Sequence, residues 1–94
     1  MMDNQNYIYS IAAPAFNEED NIENTVREWN TFIENNKINA EIVITNDGSK
    51  DRTKIILDQL KLEYPNLKII HFETNVGYGR ALLTSIQNSQ GKFI

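Results

Sequence analysis

The strongest constraint on this chain is an alternation. Short runs of strand-forming residues take turns with segments of helical period, and little more than a turn separates them. Tyr7-Ile8-Tyr9-Ser10-Ile11-Ala12-Ala13 is rich in β-formers and predicts a buried strand whose ladder ends at Pro14. Asn17-Glu18-Glu19-Asp20 reads as a helix start, with Asn17 as the cap and the acids at the positive end of the helix dipole. Ile22, Val26, Trp29 and Ile33 follow on one helical face, and Asn35-Asn36 closes that helix. Glu41 to Thr45 predicts a second strand, Asn46-Asp47-Gly48-Ser49 a turn, and Asp51 to Leu62 a helix burying Ile56, Leu57 and Leu60 before Pro65 stops it. Leu67 to Phe72 predicts a third strand, residues 75–79 a flexible loop, and Arg80 to Asn88 a third helix with Gly91 as its C-terminal cap. Lys92-Phe93-Ile94 begins a fourth strand.

The order is therefore β-α-β-α-β-α-β. Strands that alternate with helices of this length imply right-handed crossovers and a mainly parallel sheet, a Rossmann-like α/β architecture. With 94 residues the chain is one domain or a piece of one. Its last predicted strand has barely begun at Ile94, so the expectation is a partial domain, residues 1–94, belonging to a longer parent.

Composition removes several function classes. The net charge is −4 with no basic run, which argues against nucleic acid as a partner. There is no cysteine, hence no disulfide framework and no thiolate nucleophile or metal ligand. The opening Met1-Met2-Asp3-Asn4-Gln5-Asn6 is polar and acidic, unlike a signal peptide. No apolar run approaches the ~18 residues that span a bilayer. The expected location is the cytoplasm or the cytoplasmic face of a membrane.

Open parallel sheets bind ligands beyond the carboxyl ends of their strands, near the point where strand order reverses. The informative residues stand there. Pro14-Ala15-Phe16-Asn17-Glu18 offers exposed backbone, a ring to flank a flat base, and a carboxylate acceptor. In Asn46-Asp47-Gly48-Ser49 an aspartate can accept from a base or sugar while the glycine makes the turn. In Asn75-Val76-Gly77-Tyr78-Gly79-Arg80 the glycines let backbone amides approach an anion at a helix start, with Arg80 adding charge. Taken singly, each also has an ordinary reading: Pro14 as a strand terminator, Asn17-Glu18 as a cap, Asp47-Gly48-Ser49 as a turn. His71 and Trp29 read as structural. The third loop is not a dinucleotide fingerprint, since Arg80-Ala81-Leu82 follows Gly79. A calcium loop starting at Asp47 fails, because Arg52 and Asp58 occupy the places of its glycine and its glutamate.

Together, the three loops resemble the family 2 glycosyltransferases. That family shows Pro-x-(Tyr/Phe)-Asn-Glu, then Asp-Asp-Gly-Ser-x-Asp-x-Thr, then Asn-x-Gly-x-Gly-x-Ala. Here the motifs stand as Pro14 to Glu18, Asn46 to Thr53, and Asn75 to Ala81, in order and each after a predicted strand. One departure is Asn46, where the family usually has an aspartate. The resemblance implies the N-terminal half of a GT-A fold and transfer of a sugar from a UDP- or GDP-linked donor, with a polyprenyl phosphate or a polysaccharide among the acceptors. It implies a nucleoside pocket of Pro14, Ala15, Phe16 and Glu18, Asp47 bonding the base with Thr45 nearby, and Gly79 and Arg80 supporting the donor site. No residue is assigned a catalytic role. A divalent cation, magnesium or manganese, is implied for the parent, its Asp-x-Asp ligands lying beyond residue 94. The chain alone is then expected to be inactive, and its open sheet edge to favour self-association. Two other readings stay open: a nucleotide-binding module without transferase activity, and a purely structural α/β fragment.

Overall fold

In the computed structural model, which describes residues 6–94, the elements run β1 (Tyr9–Ala15), α1 (Ile22–Asn35), β2 (Ala40–Asp47), α2 (Thr53–Glu63), β3 (Leu67–Phe72) and α3 (Tyr78–Gln87). The polar opening read above as unlike a signal peptide lies, from Met1 to Gln5, outside the described residues.

The three strands form one parallel sheet in the order β1-β2-β3, with Ile11 beside Ile42 and Ile44 beside Ile69. Side chains alternate between faces along a strand, so this register sorts the sheet into two sides. On one side, Ile42 and Ile44 pack with Val26, Ile22 and Ile33 of α1, Leu57 and Leu60 of α2, and Leu67 of β3. Trp29 and Ile56 flank this core half-buried. On the other side, α3 buries Ala81 and Ser85 against β1 and β2. The central strand β2 is buried at all eight positions, which fits the unbroken apolar run Ile42-Val43-Ile44 at its middle.

Topology follows from the direction of travel. The steps from β1 to β2 to β3 go the same way, so crossovers of one hand place α1 and α2 on one face. The chain then turns back along the opposite face through α3. Phe93 arrives at the other edge of β1, where it forms a parallel bridge with Tyr9. The Ser10 amide donates to the Phe93 carbonyl at 2.8 Å, and the Phe93 amide to the Ile8 carbonyl at 3.0 Å. Strand order therefore reverses beside β1, which makes its carboxyl end the switch point.

Several expected boundaries move, each for a local reason. Pro14 does not end the ladder; it lies inside β1 beside Thr45. Amide directions alternate along a strand, so residue 14 shares the orientation of residue 10 and its missing N–H faces away from β2. Asn17 is not the cap of α1. It sits in left-handed backbone at φ 52°, and α1 starts at Ile22 behind Asn21. Asn46 and Asp47 belong to β2 rather than to a turn. Helix α2 starts at Thr53 and α3 at Tyr78. Gly91 does not cap α3, whose C-cap is Asn88. It presses on β1 instead, where a Cβ would stand 2.6 Å from the Ser10 hydroxyl. The predicted fourth strand is present as the single bridge at Phe93.

Candidate functional site

The carboxyl ends of β1 and β2 and the loop after β3 enclose a cleft of about 320 Å³. Pro14, Ala15, Phe16, Glu18 and Asp47 line it, together with Asn75, Gly77 and Tyr78. Five of the eight residues expected at a binding site are thus brought together. Thr45 is not among them: it has no exposure, and its hydroxyl meets that of Ser85 at 2.7 Å beneath α3. Gly79 and Arg80 stand exposed in the first turn of α3, outside the lining. Asn75, Gly77 and Tyr78 line the cleft although none is among the eight; the sequence marks their loop but not which of its residues turn inward.

Asp47 organises the cleft. Although only 2% exposed, its carboxylate accepts from the Val76 amide at 2.8 Å and the Gly77 amide at 3.0 Å. The side-chain amide of Asn75 donates to it as well, at 3.1 Å. Gly77, at φ 111°, lets the loop present two consecutive amides to one anion. The anion met by the amides of residues 76 and 77 is thus the chain's own. A carboxylate offers about four lone-pair positions, so one on Asp47 Oδ1 remains beyond these three donors. The amides of Tyr78, Gly79 and Arg80 open α3 and by helix geometry have no intrahelical acceptor.

Gly48 fixes how close the second and third loops come. It holds φ 68°, and a Cβ there would lie 2.3 Å from the Thr74 carbonyl carbon and 2.4 Å from the Asn75 nitrogen. Only glycine fits. Behind it, Asn46 contacts His71 Nδ1 at 3.0 Å through its side-chain nitrogen, and His71 Nε2 meets Asp58 at 2.9 Å. With the amide donating, Nδ1 accepts and the ring's own proton points to Asp58. Asn46 at 2% exposure therefore ties the ends of β2 and β3 without a second buried carboxylate beside Asp47. His71 is a structural tie, as its place in a strand suggested.

The loops after β1 and β2 are joined by a second set of bonds. The Asn17 amide donates to Ser49 Oγ at 2.9 Å, and the Lys50 amide to Asn17 Oδ1 at 2.9 Å. The Glu18 amide donates to Thr53 Oγ1 at 2.8 Å, and the Glu19 amide to Asp51 Oδ2 at 3.1 Å. In return the Arg52 amide donates to Glu19 Oε1 at 3.0 Å. Asp51 also accepts from the Thr53 amide at 2.9 Å and the Thr53 hydroxyl at 2.6 Å. Partial burial pushes the Asp51 carboxyl up, but the bonds from Thr53 and Glu19 outweigh it and hold it below its ordinary value. Among the described residues, no three histidine, cysteine, aspartate or glutamate side chains gather to hold a metal ion, so these residues do not furnish a ligand set for the implied cation.

A larger hollow of about 740 Å³ lies at the opposite end of the sheet, lined by Glu41, Asn66, Lys68 and Lys92 among others. It sits at the amino ends of the strands, where parallel sheets do not place their ligand sites. The smaller cleft is the better candidate on that ground.

Comparison with known proteins identifies the family and the fold. The family model described as Glycosyl transferase family 2 matches residues 10–94. An uncharacterized glycosyltransferase, YkcC, of Bacillus subtilis (strain 168) is 38% identical over 86 residues, 92% of this chain and 27% of the relative. A prophage bactoprenol glucosyl transferase homolog of Escherichia coli (strain K12) is 38% identical over 88 residues, 90% of this chain and 28% of the relative. The crystal structure of S. aureus TarS 1-349 superposes with a TM-score of 0.76 at 25% identity, covering 93% of this chain and 26% of that one. The chain thus spans about a quarter of the length of the relatives it matches. The three parallel strands and their helices are part of a GT-A domain.

Proposed function

The chain belongs to glycosyl transferase family 2, and from that premise we propose that it forms the nucleoside side of a donor site for a nucleotide sugar. The observation that carries the proposal is the cleft itself. Phe16, Glu18 and Asp47, drawn from two of the three family motifs, face one space at the sheet's switch point.

In this reading the Phe16 ring, 44% exposed, covers one face of the base. Pro14 and Ala15 supply a smooth backbone floor. A base N–H donates to the lone pair left on Asp47 Oδ1, and the Glu18 carboxylate accepts from a base or ribose donor. The diphosphate lies toward the first turn of α3, where the amides of residues 78–80 and the Arg80 guanidinium offer donors to an anion. A Cβ at Gly79 would meet nothing within 4 Å, so that turn leaves open space for a close approach. The task of this half-site is to hold and orient the donor. A divalent cation, held by ligands other than the described residues, would neutralise the leaving diphosphate in such chemistry. The base is uracil or guanine. The acceptor is a polyprenyl phosphate, consistent with the bactoprenol glucosyl transferase homolog and with a dolichyl-phosphate beta-glucosyltransferase of Trichomonas vaginalis, 31% identical over 90 residues. The place of action is then the cytoplasmic membrane face, and no described helix is long and apolar enough to cross the membrane.

Calorimetric titration of the chain with UDP and with GDP tests this. One of the two should bind, and Phe16→Ala should weaken it about tenfold, the stacking contribution of one ring. Because Phe16 is exposed, the melting temperature should not move. Equal binding by wild type and variant would refute the pocket.

A further inference from the structure

Asp51 and Thr53 belong to the second motif yet face no cleft, and the proposed site leaves them without a task. Their bonds run to the backbone of the loop that carries Phe16 and Glu18. The Thr53 hydroxyl has one proton, which it gives to Asp51 Oδ1 at 2.6 Å, and its oxygen accepts the Glu18 amide at 2.8 Å. Asp51 therefore fixes the hydroxyl rotor, and the rotor fixes the Glu18 amide. The other oxygen of Asp51 takes the Glu19 amide at 3.1 Å. Consecutive amides of the first loop, at residues 18 and 19, are thus held by one side-chain pair on the second loop.

The loop needs such a hold. Residues 16–20 are all exposed and α1 does not begin until Ile22. The Glu18 carbonyl accepts the Asn21 and Ile22 amides at 3.0 and 2.8 Å, but the amides of residues 17–19 have side chains, not backbone, as their acceptors. Asn17 adds left-handed backbone at φ 52°, a conformation that persists in a non-glycine residue only where its surroundings hold it. Ser49 and Lys50 bind Asn17 from the rim, where solvent competes. Thr53 has no exposure, so its bonds are the ones shielded from water.

Resting on the nucleoside-pocket reading, we propose that Asp51 and Thr53 are positioning residues: a buried hydroxyl and its half-exposed carboxylate partner that set the first loop so that Phe16 and Glu18 meet the base preorganised. Affinity then depends on side chains that never touch the ligand, because an unset loop must be ordered at the moment of binding.

The test compares Thr53→Val, Thr53→Ser and Phe16→Ala in the chain, by nucleotide titration and by amide hydrogen exchange. Valine keeps the shape of threonine and removes the hydroxyl; serine restores it. Thr53→Val should exchange the Glu18 and Glu19 amides faster while β2 amides keep their protection, and should weaken nucleotide binding about tenfold. Thr53→Ser should recover both, which a loss of packing alone would not allow. A Thr53→Val chain that binds like wild type, beside a Phe16→Ala chain that does not, overturns the positioning role and leaves the pocket standing. If Phe16→Ala also binds like wild type, the pocket reading fails. The clasp is then judged on exchange alone, and wild-type rates at Glu18 and Glu19 in Thr53→Val overturn it too.

Discussion

Two carboxylates stand on the same face of β2, one at each end, and both are almost fully buried: Glu41 at 3% and Asp47 at 2%. Each is satisfied by backbone amides of a distant segment. Glu41 Oε2 accepts the Gln90 amide at 2.5 Å and the Ser10 hydroxyl at 2.7 Å, and Ser10 in turn accepts the Gly91 amide at 2.8 Å. Asp47 accepts the amides of Val76 and Gly77. The device is the same, but its consequence differs. Glu41 brings residues 90–93 to the edge of β1 and so extends the sheet. Asp47 brings the β3–α3 loop over the carboxyl end and so shapes a cleft. A buried charge held by backbone N–H groups is by itself neutral about function; the end of the sheet at which it stands decides what it builds.

Variants at the two ends should separate these consequences. The largest effect is expected from Asp47→Ala, which leaves two loop amides and the Asn75 side chain without their acceptor. It should cost about 3–4 kcal/mol of stability and abolish nucleotide binding, read by denaturant unfolding and titration. Gly48→Ala should follow, at about 2–3 kcal/mol, since its Cβ must displace the Thr74–Asn75 backbone. It should also shift the amide signals of Val76 and Gly77 and leave Gln90 unmoved. Glu41→Gln keeps one acceptor oxygen and should cost about 1–2 kcal/mol while nucleotide affinity stays at the wild-type value. A Glu41→Gln chain that lost affinity would erase the distinction between the two ends.

The smallest effect concerns acid. Asp51 is held below its ordinary value of 3.8 in the folded chain, so the clasp's contribution is complete above that value and is lost as pH falls through the lower folded one. Amide exchange at Glu19, corrected for the intrinsic pH dependence, should show this loss on acidification below 3.8 in wild type. Asp51→Asn should be flat over the same range.

The sequence made some of this legible and hid the rest. Element order and the parallel sheet were readable because β-branched runs and 3.6-residue spacing are local signals, and Val26, Leu57 and Leu60 landed in the core they predict. The cleft's wall was readable through its motifs at Pro14 to Glu18 and at Asp47. What stayed hidden were the long-range bonds. Asn17 looks like a helix cap because a cap and a loop-to-loop bond need the same side chain, and only the fold shows that its oxygen meets Lys50. The family resemblance puts Thr45 near the ligand, yet two residues before Asp47 it lies deeper on the same face of β2, under α3 and against Ser85. Gly91 read as a cap for want of any sequence signal that β1 lies against it. Asn75 could have been suspected as a partner of Asp47, since an amide beside an otherwise unpaired buried aspartate is chemically apt, but sequence gives no distance between residues 47 and 75.

The most direct test of the account is nuclear magnetic resonance mapping of the chain's amides while UDP or GDP is added. The account predicts shifts for Phe16, Glu18, Gly77, Tyr78 and Gly79 with one of the nucleotides, while Glu41, Gln90 and Lys92 stay still. Shifts confined to the amino-end hollow around Glu41, or none at either end with both nucleotides, would contradict it.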